Sequence, residues 1–593
     1  MNISSCKAFF QSRRGMVFAV AVLMLLGFAV RYYHFNEWLY FKMDQSRDAA
    51  IIGNAVLNGP EYLPLLGPRA GATTLAHGFL RTGPAYYYMQ YFSGVLAGSV
   101  EPYVFAYPDL FFGILAIPML FVLLRLYFPR GTAFGVTTLY TFCFLVIEYS
   151  RFAWNPNTLP FFIFLAFYGL LRFLNEIDLK RRYKWLTLWI GALTIGAQLH
   201  FFGVFSLIGI SGLMVIWHFE LWRAEPWRML RAKSVWLPIV KYTLTGVAIA
   251  LFLYTPAIIS DTYRHGENIH NFFEAMGSKQ DKAALSKKLA TSLDQNSQYY
   301  CLITTAQCMT GSGKSNTLPE LATALFILFG IAFSVIRLRK LPAGIQKDFL
   351  RLVVVWFAVF SILSIPVASQ LRPRFFLVVM ALPFILWGVW FEYMQERWKQ
   401  NGLLAGLVLF IVLFGLNVQG TLAWFHEQSQ SQLKDTPVTR TLILKNKDGV
   451  TLGQLQRVTD FMYAHLEKGN HLYFYVKPEH ISPIKYLLRL KQMNDPGLIY
   501  QPMTFNEDPK AQYFVVVPDT AKDPLAPVTA KFGQPFEVIA SQKTGQLFVV
   551  EIRFTDRPVS ADFQIKESAS SEDRIFWADV FGNKQAVSVD IQE

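Results

Sequence analysis

The chain has 593 residues, of which 53% are hydrophobic and only 16% charged, with a mean hydropathy of +0.30. A soluble protein of this length carries about a quarter of its residues charged, so the composition excludes an ordinary soluble enzyme and points to an integral membrane protein. Lys and Arg number 55 against 41 Asp and Glu, a net charge of +14; in a membrane chain that excess belongs to loops on the positive-inside rule and not to a nucleic-acid surface.

The basic opening, Met1 to Arg14, runs straight into the apolar Gly15 to Val30 and on to Arg31-Tyr32-Tyr33. A small-residue cleavage site after a short apolar core is lacking, which predicts an uncleaved first span. On a template of ~20 apolar residues per span, about 11 candidates follow. They lie near 15–31, 103–124, 131–148, 158–174, 185–201, 202–218, 236–256, 319–336, 352–367, 374–391 and 402–422. Counted in that order, the loops holding Arg13 and Arg14, Arg125 and Arg130, Lys180 to Lys184, Arg223 to Lys233, Arg337 to Arg351, and Arg397 with Lys399 all fall on one side. That places the N-terminus in the cytoplasm and the region after the last span outside.

The outer side then owns loops 32–102 and 257–318, the turns 149–157 and 368–373, and everything after about 423. Loop 32–102 contains two amphipathic stretches too short to span, one from Asp48 and one from Gly83-Pro84, which predict interfacial helices. Pro84 suits a first helical turn. Beyond residue 423 the composition becomes that of a soluble domain. Thr451 to Gln454 reads as a capping box before a helix. A second helix is predicted over Ser482 to Leu490, with strands at His471 to Val476, Gln512 to Val517, Phe536 to Ala540 and Leu547 to Phe554. The expected architecture is a polytopic α-helical domain, 1–422, followed by a small extracytoplasmic α/β domain, 423–593.

The chemistry is sought first in Phe41-Lys42-Met43-Asp44-Gln45-Ser46-Arg47-Asp48-Ala49-Ala50. Two carboxylates one helical turn apart, with an arginine between them, stand beside an apolar span. Ionisable groups held at such an interface are costly and mark function, although an acid pair in a loop is also compatible with a solvated face. Asp44 or Asp48 would serve as a general base, and Arg47 would bind a phosphate bidentately. Arg151, and the pair Arg372 and Arg374, are cations on the outer side, against the charge bias; they would either snorkel to headgroups or neutralise a lipid-linked phosphate. Asn155 with Pro156 suits a helix cap and first turn as well as a binding turn. His200 and Arg81 are further candidates, with His77, for the lining of the site, though each also suits a structural role. Gly311-Ser312-Gly313-Lys314-Ser315 imitates the end of a phosphate-binding loop, but Cys308 stands where that pattern needs its first glycine, and it reads as a loop. The four cysteines lack metal-ligand spacing, and Cys301 can pair with Cys308 if their loop is extracytoplasmic.

Asp44-Gln45-Ser46-Arg47-Asp48-Ala49, Leu66-Gly67-Pro68, Gly83-Pro84-Ala85-Tyr86-Tyr87-Tyr88, Ser150-Arg151, Trp154-Asn155-Pro156-Asn157 and Arg372-Pro373-Arg374-Phe375 occur in an order that resembles the GT-C membrane glycosyltransferases. The likeness is to the family 39-like branch, which includes protein O-mannosyltransferases and lipid A aminoarabinose transferases, and covers roughly residues 10–420. It implies inverting transfer of a hexosyl or pentosyl group from a polyprenyl-phosphate carrier to a lipid, glycan or protein acceptor. That reaction would run at the outer face of a bacterial inner membrane. It implies Asp44 as catalytic base. The family's Asp-Glu pair is Asp44-Gln45 here, so Asp48 is the substitute second acid. Arg47, Arg81, Tyr86, Arg151, Asn155, His200, Arg372 and Arg374 are the expected substrate-binding residues. No cofactor is required by the sequence, and a divalent cation is left open. The rival readings are a lipid or glycolipid flippase, disfavoured by the lack of a clear internal repeat, and a surface-polysaccharide polymerase or ligase.

Overall fold

The computed structural model describes residues 12–582 except 71–74, 76–77, 224, 226–232, 279–282, 309–316, 431–448, 505, 520–522, 524 and 565–573. His77 and the sequence 311–315 lie outside the described residues. The membrane body is built from α1 (Arg13–Tyr32), α2 (Met43–Asn58), α3 (Ala85–Ala97), α4 (Tyr107–Leu124), α5 (Arg130–Thr141), α6 (Phe144–Glu148), α7 (Leu159–Asn175) and α8 (Leu179–Leu199). It continues with α9 (Phe201–His218), α10 (Lys233–Tyr263), α11 (Glu267–Ser278), α12 (Leu285–Thr305), α13 (Thr317–Lys340), α14 (Ile345–Ser364) and α15 (Leu382–Gln430). The short turns Asn155–Thr158 and Pro373–Val378 are 3-10 helices.

Among the described residues, seven helices are long and apolar enough to cross a membrane, α15 among them, where about eleven spans were expected. The chain is an integral membrane protein. Two of the differences have visible causes. The expected span 131–148 breaks between α5 and α6, where the Phe144 N–H donates to Asn417 Oδ1 at 3.0 Å. A side-chain amide from α15 thus caps a helix start inside the apolar body. The other lies in α15, which reverses at Lys399, a residue at φ 46°. Trp387 Nε1 donates to the Gly406 carbonyl, so α15 is two helical arms lying side by side, joined at the non-helical Lys399. Those arms correspond to the candidates near 374–391 and 402–422, although the first begins later because Pro373–Val378 is a 3-10 turn.

The interfacial helices expected in the first outer loop are α2 and α3. Burial holds α2 in place: Ala49, Ile52 and Ala55 are buried at helical spacing, and residues 51–55 are enclosed on all sides. Asp44 lies in its first turn, where a carboxylate is favoured by the helix dipole. The Gln45 side chain accepts the Lys42 N–H at 3.2 Å, so this amide closes the helix start. Gly59, at φ 128°, ends the helix in a conformation open to glycine.

The C-terminal domain comprises α16 (Leu452–His465), α17 (Pro478–Asn494), α18 (Ala526–Phe532), α19 (Trp577–Val580) and one sheet in the order β2-β1-β3-β5-β4. The strands are β1 (His471–Tyr475), β2 (Ile499–Pro502), β3 (Ala511–Pro518), β4 (Phe536–Thr544) and β5 (Leu547–Phe554). β1 pairs in parallel with β2 and β3, and β4–β5 form the expected hairpin. The capping box at Thr451 is not made. Gln454 instead turns its carbonyl to the Gln546 N–H, joining α16 to that hairpin.

This domain rests on the acid-bearing helix. The Leu452 and Gly453 N–H groups donate to the carbonyls of Leu39 and Glu37 at 2.8 and 2.9 Å. Phe41 packs edge-on to Tyr486, whose hydroxyl donates to Val100 O. Cys301, near the end of α12, forms a disulfide with Cys308 just beyond it. Among the described cysteines Cys143 alone is free, and it is buried. Denatured protein is therefore expected to expose two more alkylatable thiols with reductant than without it; equal labelling would refute the pairing.

Candidate active site

Tyr87 on α3 and Arg47 on α2 together define the state of the acid pair. Arg47 donates through Nε and Nη2 to Asp48 Oδ1 at 3.1 and 2.9 Å, and through Nη1 to Asp44 Oδ1 at 3.2 Å. Tyr87 Oη donates to the same Asp48 oxygen at 2.7 Å. The Asp48 side chain is only 5% exposed, whereas that of Asp44 is 38% exposed. Asp48 is thus enclosed with Arg47, whereas the Asp44 carboxylate is partly open to solvent. Burial pulls the Arg47 guanidinium down, but Asp48 and Asp44 hold it well above its ordinary range.

Arg374 approaches from the turn Pro373–Val378. Its guanidinium lies 5.3 Å from the Trp154 ring centroid and 5.5 Å from that of Phe375, within the range of cation–π attraction. Burial lowers its pKa, while Tyr149 and Asp44 act in the opposite sense and Arg372 adds to the lowering. Asp44 is thus among the charges that favour the Arg374 cation against its burial. Arg372 itself donates to Leu371 O at 2.7 Å. His200, the residue between α8 and α9, meets the Phe375 ring edge-on at 5.5 Å. Two groups result: Asp44, Arg47 and Asp48 are joined by hydrogen bonds, and Arg374, Trp154, Phe375 and His200 by ring contacts, with Asp44 acting electrostatically on Arg374.

Four other expected binding residues have polar contacts with other partners. Arg151 is buried and donates to the carbonyls of Val30, Arg31 and Tyr33 at 3.1, 2.8 and 2.7 Å. It satisfies the open C-terminus of α1, a structural role that removes its cation from the acid cluster. Replacing Arg151 with alanine is expected to cost about 3 kcal/mol by leaving those carbonyls without a charged donor. Thermal unfolding in detergent checks this, and an unchanged midpoint would contradict the assignment. Asn155 donates to Leu199 O, tying the turn Asn155–Thr158 to the end of α8. Tyr86 is fully buried and donates to Asp109 Oδ2 at 2.8 Å. Arg81 has its backbone N–H and C=O both engaged by the Asn268 side chain.

Sequence reasoning passed over three residues here. Asp109 and Glu148 are buried acids within apolar surroundings, and Lys42 is buried at the start of α2. The cost of an acid in an apolar run was a usable signal for the first two. The adjacent tyrosines of α3 divide the work: Tyr86 holds Asp109 and Tyr87 holds Asp48. Gln198 fixes the start of α3, accepting the Ala85 N–H at 3.2 Å while donating to Leu253 O at 3.0 Å.

A cavity of about 810 Å³ opens on the far side of that joint. α8, α9, α10 and α11 wall it with Leu66, Ala70 and residues 80–83, mostly through apolar side chains such as Phe201, Val247, Leu251 and Ile258. Arg81, Asp261 and Asn268 supply polar groups at its wall. Asp44 does not line this cavity. Thr82 and Gly83, which do, lead directly into α3 and hence to Tyr87 and Asp48. Among the described residues, no three His, Cys, Asp or Glu side chains form a metal cage.

The helical body, the interfacial helices before the second span and the appended sheet domain together have the fold of the GT-C membrane glycosyltransferases. Residues 76–264 match the family Dolichyl-phosphate-mannose-protein mannosyltransferase. The chain is similar to ArnT from Cupriavidus metallidurans in the apo state, with TM-score 0.54 and 13% identity over 90% of this chain and 97% of that one. ArnT of the same organism bound to undecaprenyl phosphate gives TM-score 0.51 and 12% identity over 91% and 98%. The oligosaccharyltransferase AglB from Archaeoglobus fulgidus, with an inhibitory peptide and a dolichol-phosphate, gives 0.50 and 13% over 93% and 75%. No curated protein sequence matches this chain.

Proposed function

We propose that this protein transfers a sugar from a polyprenyl-phosphate donor to an acceptor on the outer face of a bacterial inner membrane, with inversion at the anomeric carbon. In this arrangement the N-terminus is cytoplasmic and the sheet domain lies outside. The observation that carries the reading is the exposed Asp44 carboxylate, held by Arg47 and electrostatically coupled to Arg374. A base and phosphate-binding cations then share one interface. The apolar cavity suits an isoprenoid chain. Undecaprenyl phosphate and dolichol-phosphate are named as bound to ArnT and AglB, which supports the same donor chemistry here.

The chemistry balances without a redox step. Asp44 takes the proton of the acceptor hydroxyl or amine as the acceptor atom attacks the anomeric carbon from the face opposite the phosphate. The bond from that carbon to the phosphate oxygen breaks, and polyprenyl phosphate departs as an anion. Arg372 and Arg374 lower the barrier by binding the charge that develops on it. Arg47 orients the Asp44 carboxylate, and Asp48 with Tyr87 fixes Arg47.

Deletion of the gene, followed by mass analysis of glycolipids and surface glycans, tests this. A polyprenyl-phosphate sugar is expected to accumulate while one surface substituent disappears. Accumulation of an oligosaccharide on pyrophosphate would assign the chain to the polymerase or ligase class instead, and unaltered glycans would overturn the transferase reading.

A further inference from the structure

The chain returns to the acid site almost at its end. Leu65 N–H donates to Ile575 O at 2.9 Å, and Trp577 N–H donates to Leu63 O at 3.1 Å, with an antiparallel bridge between Pro64 and Phe576. Residues 574–577 thus add a strand-like strap to the first outer loop. Trp577 Nε1 donates to Tyr88 Oη at 2.9 Å, and Phe576 is buried. Beneath the strap, Gly67 N–H donates to Thr82 O at 2.9 Å. A Cβ at Gly67 would lie 2.2 Å from the Gly83 carbonyl, so the layers touch backbone to backbone. Movement of the strap is therefore felt at the start of α3.

We infer that this strap is a positioning element of the acid site, in which Arg574 acts through Tyr87 on Asp48. Arg574 is buried, donates to Gly67 O at 3.3 Å and has its guanidinium carbon 5.6 Å from the Tyr87 ring centroid. A cation on the face of a phenol fixes the ring by attraction to its quadrupole. It also draws electron density from the ring, which makes the hydroxyl a better donor. That hydroxyl meets Asp48 Oδ1, the oxygen that also receives Arg47 Nε and Nη2. Arg47's remaining nitrogen holds Asp44. The order is continuous: Arg574 sets Tyr87, Tyr87 sets Asp48, Asp48 sets Arg47, and Arg47 aims Asp44.

A mere tether between the two domains would not need this route. The backbone bonds from Leu452 and Gly453 to residues 37 and 39, and the bond from Tyr486 to Val100, already dock the sheet domain on the membrane body. The strap differs in reaching the catalytic loop's own polar network. The inference rests on reading Asp44 as the base, but its first test does not.

Hydrogen exchange of the full chain in lipid nanodiscs compares wild type with Arg574→Met and Arg574→Lys. Methionine keeps bulk and removes the cation, whereas lysine keeps a cation over the ring. Exchange at amides 47–52 is expected to rise about tenfold in Arg574→Met, with the β-sheet unchanged, and to return near wild type in Arg574→Lys. In cells, surface transfer by Arg574→Met is expected to fall about tenfold and to recover with lysine. Unchanged exchange in the methionine variant, or equal acceleration in both variants and in the sheet, would overturn the positioning role. Failure of the base assignment reads out separately, as full transfer by Asp44→Asn with the exchange pattern intact.

Discussion

Asp44→Asn is expected to lower transfer by about 10²–10⁴, the range for loss of a positioned general base. The amide keeps the size of the side chain and can still accept from Arg47 Nη1, now 3.2 Å from Asp44 Oδ1. Folding should therefore be preserved, and the unfolding midpoint in detergent should stay within a few degrees of wild type, since surface changes of this kind are usually worth about 0.5 kcal/mol or less. The corresponding change at Asp48 has a different signature. Its carboxylate is buried and accepts three donors, so Asp48→Asn should reduce stability as well as rate. A variant pair in which Asp48→Asn alone lost activity, at full stability, would reverse the two roles.

Arg47→Met is expected to be the more damaging change to the folded state. It removes the cation between two carboxylates and leaves buried Asp48 with a neighbouring negative charge and no counter-ion. Breaking a buried pair in this way costs about 3–5 kcal/mol. Thermal unfolding of the purified variant should show that loss, and the double variant Arg47→Met with Asp48→Leu should regain part of it because no buried charge is then stranded. Equal stability of Arg47→Met and wild type would mean that the pair contributes nothing, and the account of α2 as a preorganised helix would fail.

The parts of this molecule that were legible in sequence are those governed by local pattern. Apolar runs gave the helical body, period-two runs gave the strands of the sheet domain, and β2 was passed over because Ile499–Pro502 is short and mostly half-buried. The decapeptide Phe41 to Ala50 stands out by charge beside an apolar span, and from Met43 it does form the helix that holds Asp44, Arg47 and Asp48 together. What sequence could not supply was partnership across distance. Arg151 looked like a phosphate ligand because it broke the charge bias, yet its carbonyl partners stand about 120 residues earlier, at the end of α1. The break in the expected span 131–148 is completed by Asn417, from a helix far along the chain. Gln45, read as a departure from an Asp-Glu pair, has its own local task in closing the α2 start. The strap of residues 574–577 has no periodicity or motif to mark it, since its meaning lies wholly in the loop it meets.

The two tyrosines of α3 carry a similar lesson about burial. Tyr86 was expected among substrate-binding residues because it sits in a conspicuous Gly-Pro-Ala-Tyr-Tyr-Tyr run. Its hydroxyl instead belongs to Asp109, and its neighbour Tyr87 is the one joined to the acid pair. Successive helical residues point about 100° apart, so adjacent tyrosines serve different walls of the site.

The central claim is that Asp44 is the base of a lipid-linked sugar transfer, and complementation tests it most directly. The deletion strain is supplied with wild type or Asp44→Asn at matched membrane levels, and glycolipids and surface glycans are weighed by mass spectrometry. Wild type is predicted to clear the accumulated polyprenyl-phosphate sugar and restore the missing substituent, while Asp44→Asn restores neither. Full restoration by Asp44→Asn would contradict the account.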